Sequence, residues 1–168
     1  FRVKQDVLRR SNGGLIFVNK QTDGVGVLDP TNRAGGVDFF LSPSREISIQ
    51  GFYARTWDSK AGDTDDARFF EARYSGGVYE GRFSYLEVEN NFNPGAGFVN
   101  RRRGLSDMRK YFFEGSMRPR PGIPYVRSMT VRPRVRVFSD MDNNVKFWDG
   151  RFTWWVNLVS GDWYRIIE

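Results

Sequence analysis

Ile47-Ser48-Ile49-Gln50-Gly51-Phe52-Tyr53-Ala54-Arg55-Thr56-Trp57-Asp58 decides how this chain is read. Side chains alternate sides along an extended backbone. Ile47, Ile49, Gly51, Tyr53 and Trp57 therefore share one side, and Ser48, Gln50, Thr56 and Asp58 the other. The spacing of three and four that marks a helix is missing. Residues 78–88 repeat the pattern, with Tyr79, Gly81, Phe83 and Tyr85 opposite Glu80, Arg82 and Ser84. Residues 67–74 lie between these two segments, and Ser75-Gly76-Gly77 signals a tight hairpin.

The same rhythm runs outward in both directions. Toward the start, residues 2–10 and 14–20 read as a hairpin around Ser11-Asn12-Gly13, followed by a strand over 37–41 and a turn at Ser42-Pro43-Ser44-Arg45. Toward the end, 110–118 places Tyr111, Phe113, Gly115 and Met117 on one side. Residues 125–138 alternate Met129, Val131, Val135 and Val137 with Thr130, Arg132, Arg134 and Arg136. An Asp- and Asn-rich turn over 140–144 precedes a strand over 146–159 with Trp148, Gly150, Phe152, Trp154 and Val156 together, and a last strand begins at Trp163. The best helical candidate, 105–111, is short and flanked by glycine and arginine. Longer irregular stretches fall at 59–66 and 89–104. The expectation is one all-β domain over residues 1–168, an antiparallel meander of about nine or ten long strands.

Composition narrows the chemistry. The 168 residues contain no cysteine and no histidine. Disulfides, thiolate metal sites, the Ser-His-Asp triad and the usual zinc ligands are therefore excluded. Any catalysis would rest on carboxylates, Lys or Tyr. Aromatics reach 16% and glycine 18 residues, which suits strands and tight turns. The net charge of +6 suits a polyanion partner or an anion-attracting pore. No apolar run approaches the roughly 20 residues of a membrane-spanning helix. Alternating strands of about 9–11 residues can span instead, and aromatic girdles accompany such barrels. Long aromatic strands thus point to an outer-membrane-type β-barrel or an arc of one, with Arg132, Arg134 and Arg136 facing its lumen. Glu80, Glu87 and Glu114 are candidate partners for that basic row. A soluble sandwich shows the same alternation with the charged side in solvent, so pattern alone does not choose between them.

Three segments carry a resemblance. Asn90-Asn91-Phe92-Asn93-Pro94-Gly95-Ala96-Gly97-Phe98-Val99-Asn100-Arg101 resembles a stretch of an uncharacterised bacterial β-barrel-like domain, the domain-of-unknown-function family 5916. Residues 10–20 and 49–57 are similar to other parts of that family. The resemblance extends over roughly residues 1–118, and the family domain is longer, so the chain reads as an excerpt. Members typically follow a module similar to carbohydrate-binding family 9. The resemblance implies a protein of the outer membrane of Gram-negative bacteria with a link to glycans. It supplies no catalytic residues.

Several constellations have both a functional and an ordinary reading. Asn91, Phe92, Asn93, Phe98, Arg101 and Arg102, with Arg103, combine donors and flat apolar surfaces that could hold a sugar, while asparagines in such a loop also cap their own turns. Asp140, Asp142 and Asn144 have calcium-loop spacing, but Val145 and Arg151 stand where that loop needs Gly and Glu. Asp58, Asp63, Asp65 and Asp66 crowd one predicted loop. Glu71, Glu80, Glu87 and Glu114 could supply a glycosidase pair, yet no spacing singles one out. Arginines and aromatics alternate on opposite sides in the clearest strands, which disfavours a base-stacking platform for nucleic acid. The expected function is a non-enzymatic outer-membrane barrel segment linked to glycan binding or uptake, with the lipid bilayer or detergent and carbohydrate as partners and no cofactor or metal. The alternatives are a soluble carbohydrate-binding sheet module and part of a glycoside-active enzyme.

Overall fold

The computed structural model describes residues 1–21, 31–58, 64–93 and 107–168. These form ten strands and, among the described residues, no helix: β1 (Arg2–Leu8), β2 (Ser11–Gln21), β3 (Thr31–Leu41), β4 (Ile47–Asp58), β5 (Thr64–Ser75), β6 (Tyr79–Val88), β7 (Met108–Met117), β8 (Val126–Ser139), β9 (Val145–Leu158) and β10 (Trp163–Ile167). They make one sheet in sequence order, every neighbouring pair antiparallel. The sheet is open, with β1 and β10 at its edges. Such a meander is consistent with an arc of a barrel.

Strand length follows from the sequence. β8 and β9 each run 14 residues and β4 and β5 each run 12, well past the five or six of ordinary strands. Their β-branched and aromatic residues pack side by side on the pleated surface. Connections alternate between the two ends of the sheet. At one end the connections are tight, at 9–10, 42–46, 76–78 and 159–162, with a longer one at 118–125. At the other end lie 140–144 and the connections that pass through 22–30, 59–63 and 94–106.

Two expectations are corrected. Ser11, Asn12 and Gly13 belong to β2, and the hairpin turns at residues 9–10. Glycine here serves close approach rather than a left-handed turn: a Cβ on neighbouring Gly14 would lie 2.7 Å from a carboxylate oxygen of Asp38. In agreement with the all-β expectation, Met108 to Tyr111 of the 105–111 segment open β7. Asp65 and Asp66 lie inside β5, so their side chains point to opposite sides and do not crowd one loop. Pro133, in the middle of β8, has no N–H, and the β7–β8 ladder is interrupted opposite it.

Candidate functional site

Register assigns every strand residue to one of two faces. Directly opposed residues share a face, so the pairs Tyr53↔Val37, Tyr53↔Arg68, Arg68↔Glu87, Tyr85↔Tyr111, Tyr111↔Val137 and Val137↔Trp148 trace one face across seven strands. It carries Phe17, Val37, Phe39, Phe70, Tyr79, Phe83, Phe113, Val135, Trp148, Phe152 and Ile166, all exposed. No second layer covers them among the described residues. Ten strands about 4.8 Å apart span roughly 45 Å, so this apolar face extends over on the order of 1,000 Å². A typical soluble monomer's largest apolar patch is about 300–600 Å². Glycines on this face lie against aromatic rings. A Cβ on Gly51 would meet the Phe39 ring at 2.9 Å, and one on Gly35 the Trp57 ring at 3.3 Å. The rings thus cover backbone that would otherwise be bare.

Toward the long-loop end, the apolar face gives way to a charged belt. Arg55 reaches Asp66 at 2.6 Å, Arg68 bridges Asp66 (3.3 Å) and Glu87 (3.1 Å), and Arg109 reaches Glu87 at 2.8 Å. The hydroxyl of Tyr53 donates to Asp66 at 2.8 Å, and that of Tyr85 donates to Glu87. Arg109 also donates to the Met141 carbonyl and the Asn143 side chain. Asp66 and Glu87 are each 4% exposed, and both are heavily hydrogen-bonded, which a buried charge requires. The belt runs unbroken from β4 to the β8–β9 turn. The sequence reading missed it. Its signal was available in parity, since Arg55 stands two residues from Tyr53, and Glu87 two residues from Tyr85.

The other face is the more polar one, although Ile16, Phe52, Phe69, Phe112 and Ile167 also lie on it. Glu71, 4% exposed, accepts from Gln50 at 3.1 Å, Arg73 at 3.3 Å and Arg82 at 2.6 Å. Arg132, Arg134 and Arg136 lie on this face, opposite the aromatics. Arg136 pairs with Asp149 at 2.6 Å. Arg134 stands in register with Glu114 and Arg151, and its Nε is buried with no hydrogen-bond partner among the described residues. Of the expected partners, Glu114 shares this face, Glu80 pairs instead with Arg118 at 3.0 Å, and Glu87 lies on the apolar face. Across β7–β10 the polar face holds Lys110, Arg132, Arg134, Arg136, Arg151 and Arg165 against Glu114 and Asp149. Charge on this wall is strongly positive.

Residues 89–93 fold onto the polar face at its long-loop end. The Glu89 amide donates to the Asp66 carbonyl at 3.0 Å, and the Asp66 amide returns a bond to the Glu89 carboxylate at 2.8 Å. The Asn93 amide donates to Thr56 Oγ1 at 3.3 Å, and Asn32 Nδ2 donates to the Asn93 carbonyl at 2.9 Å. Between them Phe92, 7% exposed, packs with Ala67, Val88, Met108 and Phe138 in the largest apolar cluster of this face. The Phe92 ring is thus used in packing, whereas Asn91 is exposed. Phe98, Arg101, Arg102 and Arg103 lie outside the described residues.

Asp140 is held in a structural role. Asp140 accepts from the amides of Asp142 and Asn144, from the Asn144 side chain and, at 2.8 Å, from Lys146 Nζ. These bonds hold its carboxyl down at about 2, the Lys146 contact contributing most. Its oxygens therefore organise a turn. Among the strand glutamates, Glu87 faces the opposite side of the sheet from Glu71, Glu80 and Glu114, of which Glu80 and Glu114 line one pocket with Arg73 and Arg82. Comparison with known protein families, with curated proteins and with solved structures finds no match for this chain.

Proposed function

We propose that the chain is a non-enzymatic segment of an outer-membrane-type β-barrel, with its apolar face against lipid and its polar face lining a wet lumen. The observation that carries this reading is the exposed aromatic face running over adjacent strands, with nothing packed on it among the described residues. In water such a face would be costly at about 25 cal/mol per Å². In hydrocarbon it is stabilising. Three further features support the reading. Strands of 10–14 residues are long enough to cross a bilayer at a tilt. The two longest connections, 22–30 and 89–107, lie at one end, as the long loops of outer-membrane barrels do. The Arg, Asp, Glu and Tyr belt adjoins the apolar band where headgroups would lie, and long cationic side chains with tyrosines suit that zone. An open sheet edge is not tolerated in lipid, so β1 and β10 must find pairing partners when the sheet is inserted.

In this setting the positive wall over β7–β10 favours passage or retention of anions. Residues 89–93, folded onto the polar face, would stand at the lumen mouth on the long-loop side. The resemblance of residues 90–101 to the uncharacterised barrel-like family points to the same compartment and to a glycan link. The test is refolding of the full chain in buffer and in detergent micelles, followed by circular dichroism and gel migration with and without heating. β-structure and a heat-dependent migration shift in micelles alone are expected. A cooperatively folded monomer in plain buffer contradicts the membrane reading.

A further inference from the structure

On the polar face of β8–β10, Arg132, Arg151, Arg165, Trp155, Trp163 and Asn157 line one groove of about 480 Å³. Register places them there: Arg165 stands opposite Trp155, Trp163 opposite Asn157, and Arg132 opposite Thr153, two residues from Arg151 along β9. No carboxylate lines the groove. No salt bridge among the described residues engages Arg132, Arg151 or Arg165, although Arg136 farther along β8 is neutralised by Asp149. The guanidinium of Arg132 lies 5.3 Å from the Trp155 ring centroid, and that of Arg165 lies 5.7 Å from Trp163. Each cation is held against an indole, a contact that is attractive in itself and limits the wandering of the arginine.

Three like charges that share a groove without a counter-charge repel one another, and an anion relieves that repulsion. Guanidinium forks match the paired oxygens of a carboxylate or sulfate. The indoles supply flat apolar surface beside them, and Asn157, whose amide donates to Ser128 at 3.1 Å, adds a polar group at the same wall. The combination fits a ligand that is anionic, ring-shaped and apolar on its ring faces. We propose that this groove binds an acidic saccharide, a pyranose chain bearing carboxylate or sulfate groups. The groove is open whether or not the opposite face meets lipid, so the proposal stands apart from the membrane reading.

The test uses the full chain in whichever medium, micelle or buffer, gives a folded β spectrum by circular dichroism. Tryptophan fluorescence is followed during titration with trigalacturonate, a heparin tetrasaccharide, neutral cellotriose and a six-nucleotide single-stranded DNA. Saturable binding of one or both acidic sugars is expected, and the stronger of the two identifies carboxylate or sulfate as the preferred group. The affinity should weaken about tenfold or more in the Arg151→Gln/Arg165→Gln double variant, which should keep the parent circular dichroism spectrum. No saturable response to either acidic sugar, equal binding of cellotriose, or tighter binding of the oligonucleotide overturns the proposal.

Discussion

Single carboxylates in this sheet differ sharply in what they hold. Glu71 is buried and accepts from Gln50, Arg73 and Arg82, which lie on three adjacent strands. Glu71→Gln removes the charge that those donors face, so a loss of about 1–3 kcal/mol is expected in urea unfolding of the folded chain. Glu80, half exposed and paired with the exposed Arg118, is the contrast: Glu80→Gln should change stability by less than about 1 kcal/mol. Equal effects would mean that burial does not set the cost. Asp140 adds a pH dependence. Its folded-state pKa of about 2 is below the roughly 3.9 of an unfolded aspartate. A depressed acid stabilises above the unfolded value and loses that contribution as pH falls through the folded one. The amides of Asp142 and Asn144 should therefore stay protected from exchange, relative to the intrinsic rate, at pH 5 and lose protection approaching pH 2. Asp140→Ala should lack protection at both.

At the scale of the strand, close approach decides what the glycines are for. A Cβ at Gly51 would sit 2.7 Å from the Phe69 carbonyl oxygen and 2.9 Å from the Phe39 ring, whereas one at Gly81 would meet nothing within 4 Å. Gly51→Val should cost about 1–3 kcal/mol by urea unfolding, and Gly81→Val should be tolerated. Similar losses at both sites would contradict the packing described. Much of this level was legible beforehand. β4 matches its sequence pattern from Ile47 to Asp58 because a half-buried strand writes its two environments into alternate residues. The sequence pattern of β3 begins only at residue 37, since Arg33, Ala34, Gly35 and Gly36 lack an apolar alternation. Asn12-Gly13 resembles a turn signal, but its glycine lies within the sheet opposite Phe39. The candidate site divides in the same way. Placement of Arg132, Arg134 and Arg136 opposite the aromatics followed from parity. The belt through Arg55, Asp66 and Glu87, the burial of Phe92 and the gathering of arginines with tryptophans at β8–β10 depend on register across strands, which no single segment encodes.

For the whole molecule, the defining property is a single sheet with two unlike faces and, among the described residues, no second sheet packed on either. One face is aromatic and exposed from β2 to β10, and the other carries charge, a short folded segment and a groove. Curling such a sheet so that the polar face lines an interior gives the barrel wall proposed above, and places the aromatic side outward. The absence of native cysteine makes that orientation directly measurable, because single cysteines can be introduced and labelled without background. The decisive measurement is a labelling scan with an environment-sensitive fluorophore along residues 80–86 of β6 and 110–116 of β7, in lipid vesicles, with quenchers in either the lipid chains or the water. Labels at Gly81, Phe83, Tyr85, Tyr111, Phe113 and Gly115 should respond to the lipid quencher. Those at Arg82, Ser84, Phe112 and Glu114 should respond to the aqueous one or to neither. A reversed alternation, or no response to the lipid quencher at any position, would contradict the account.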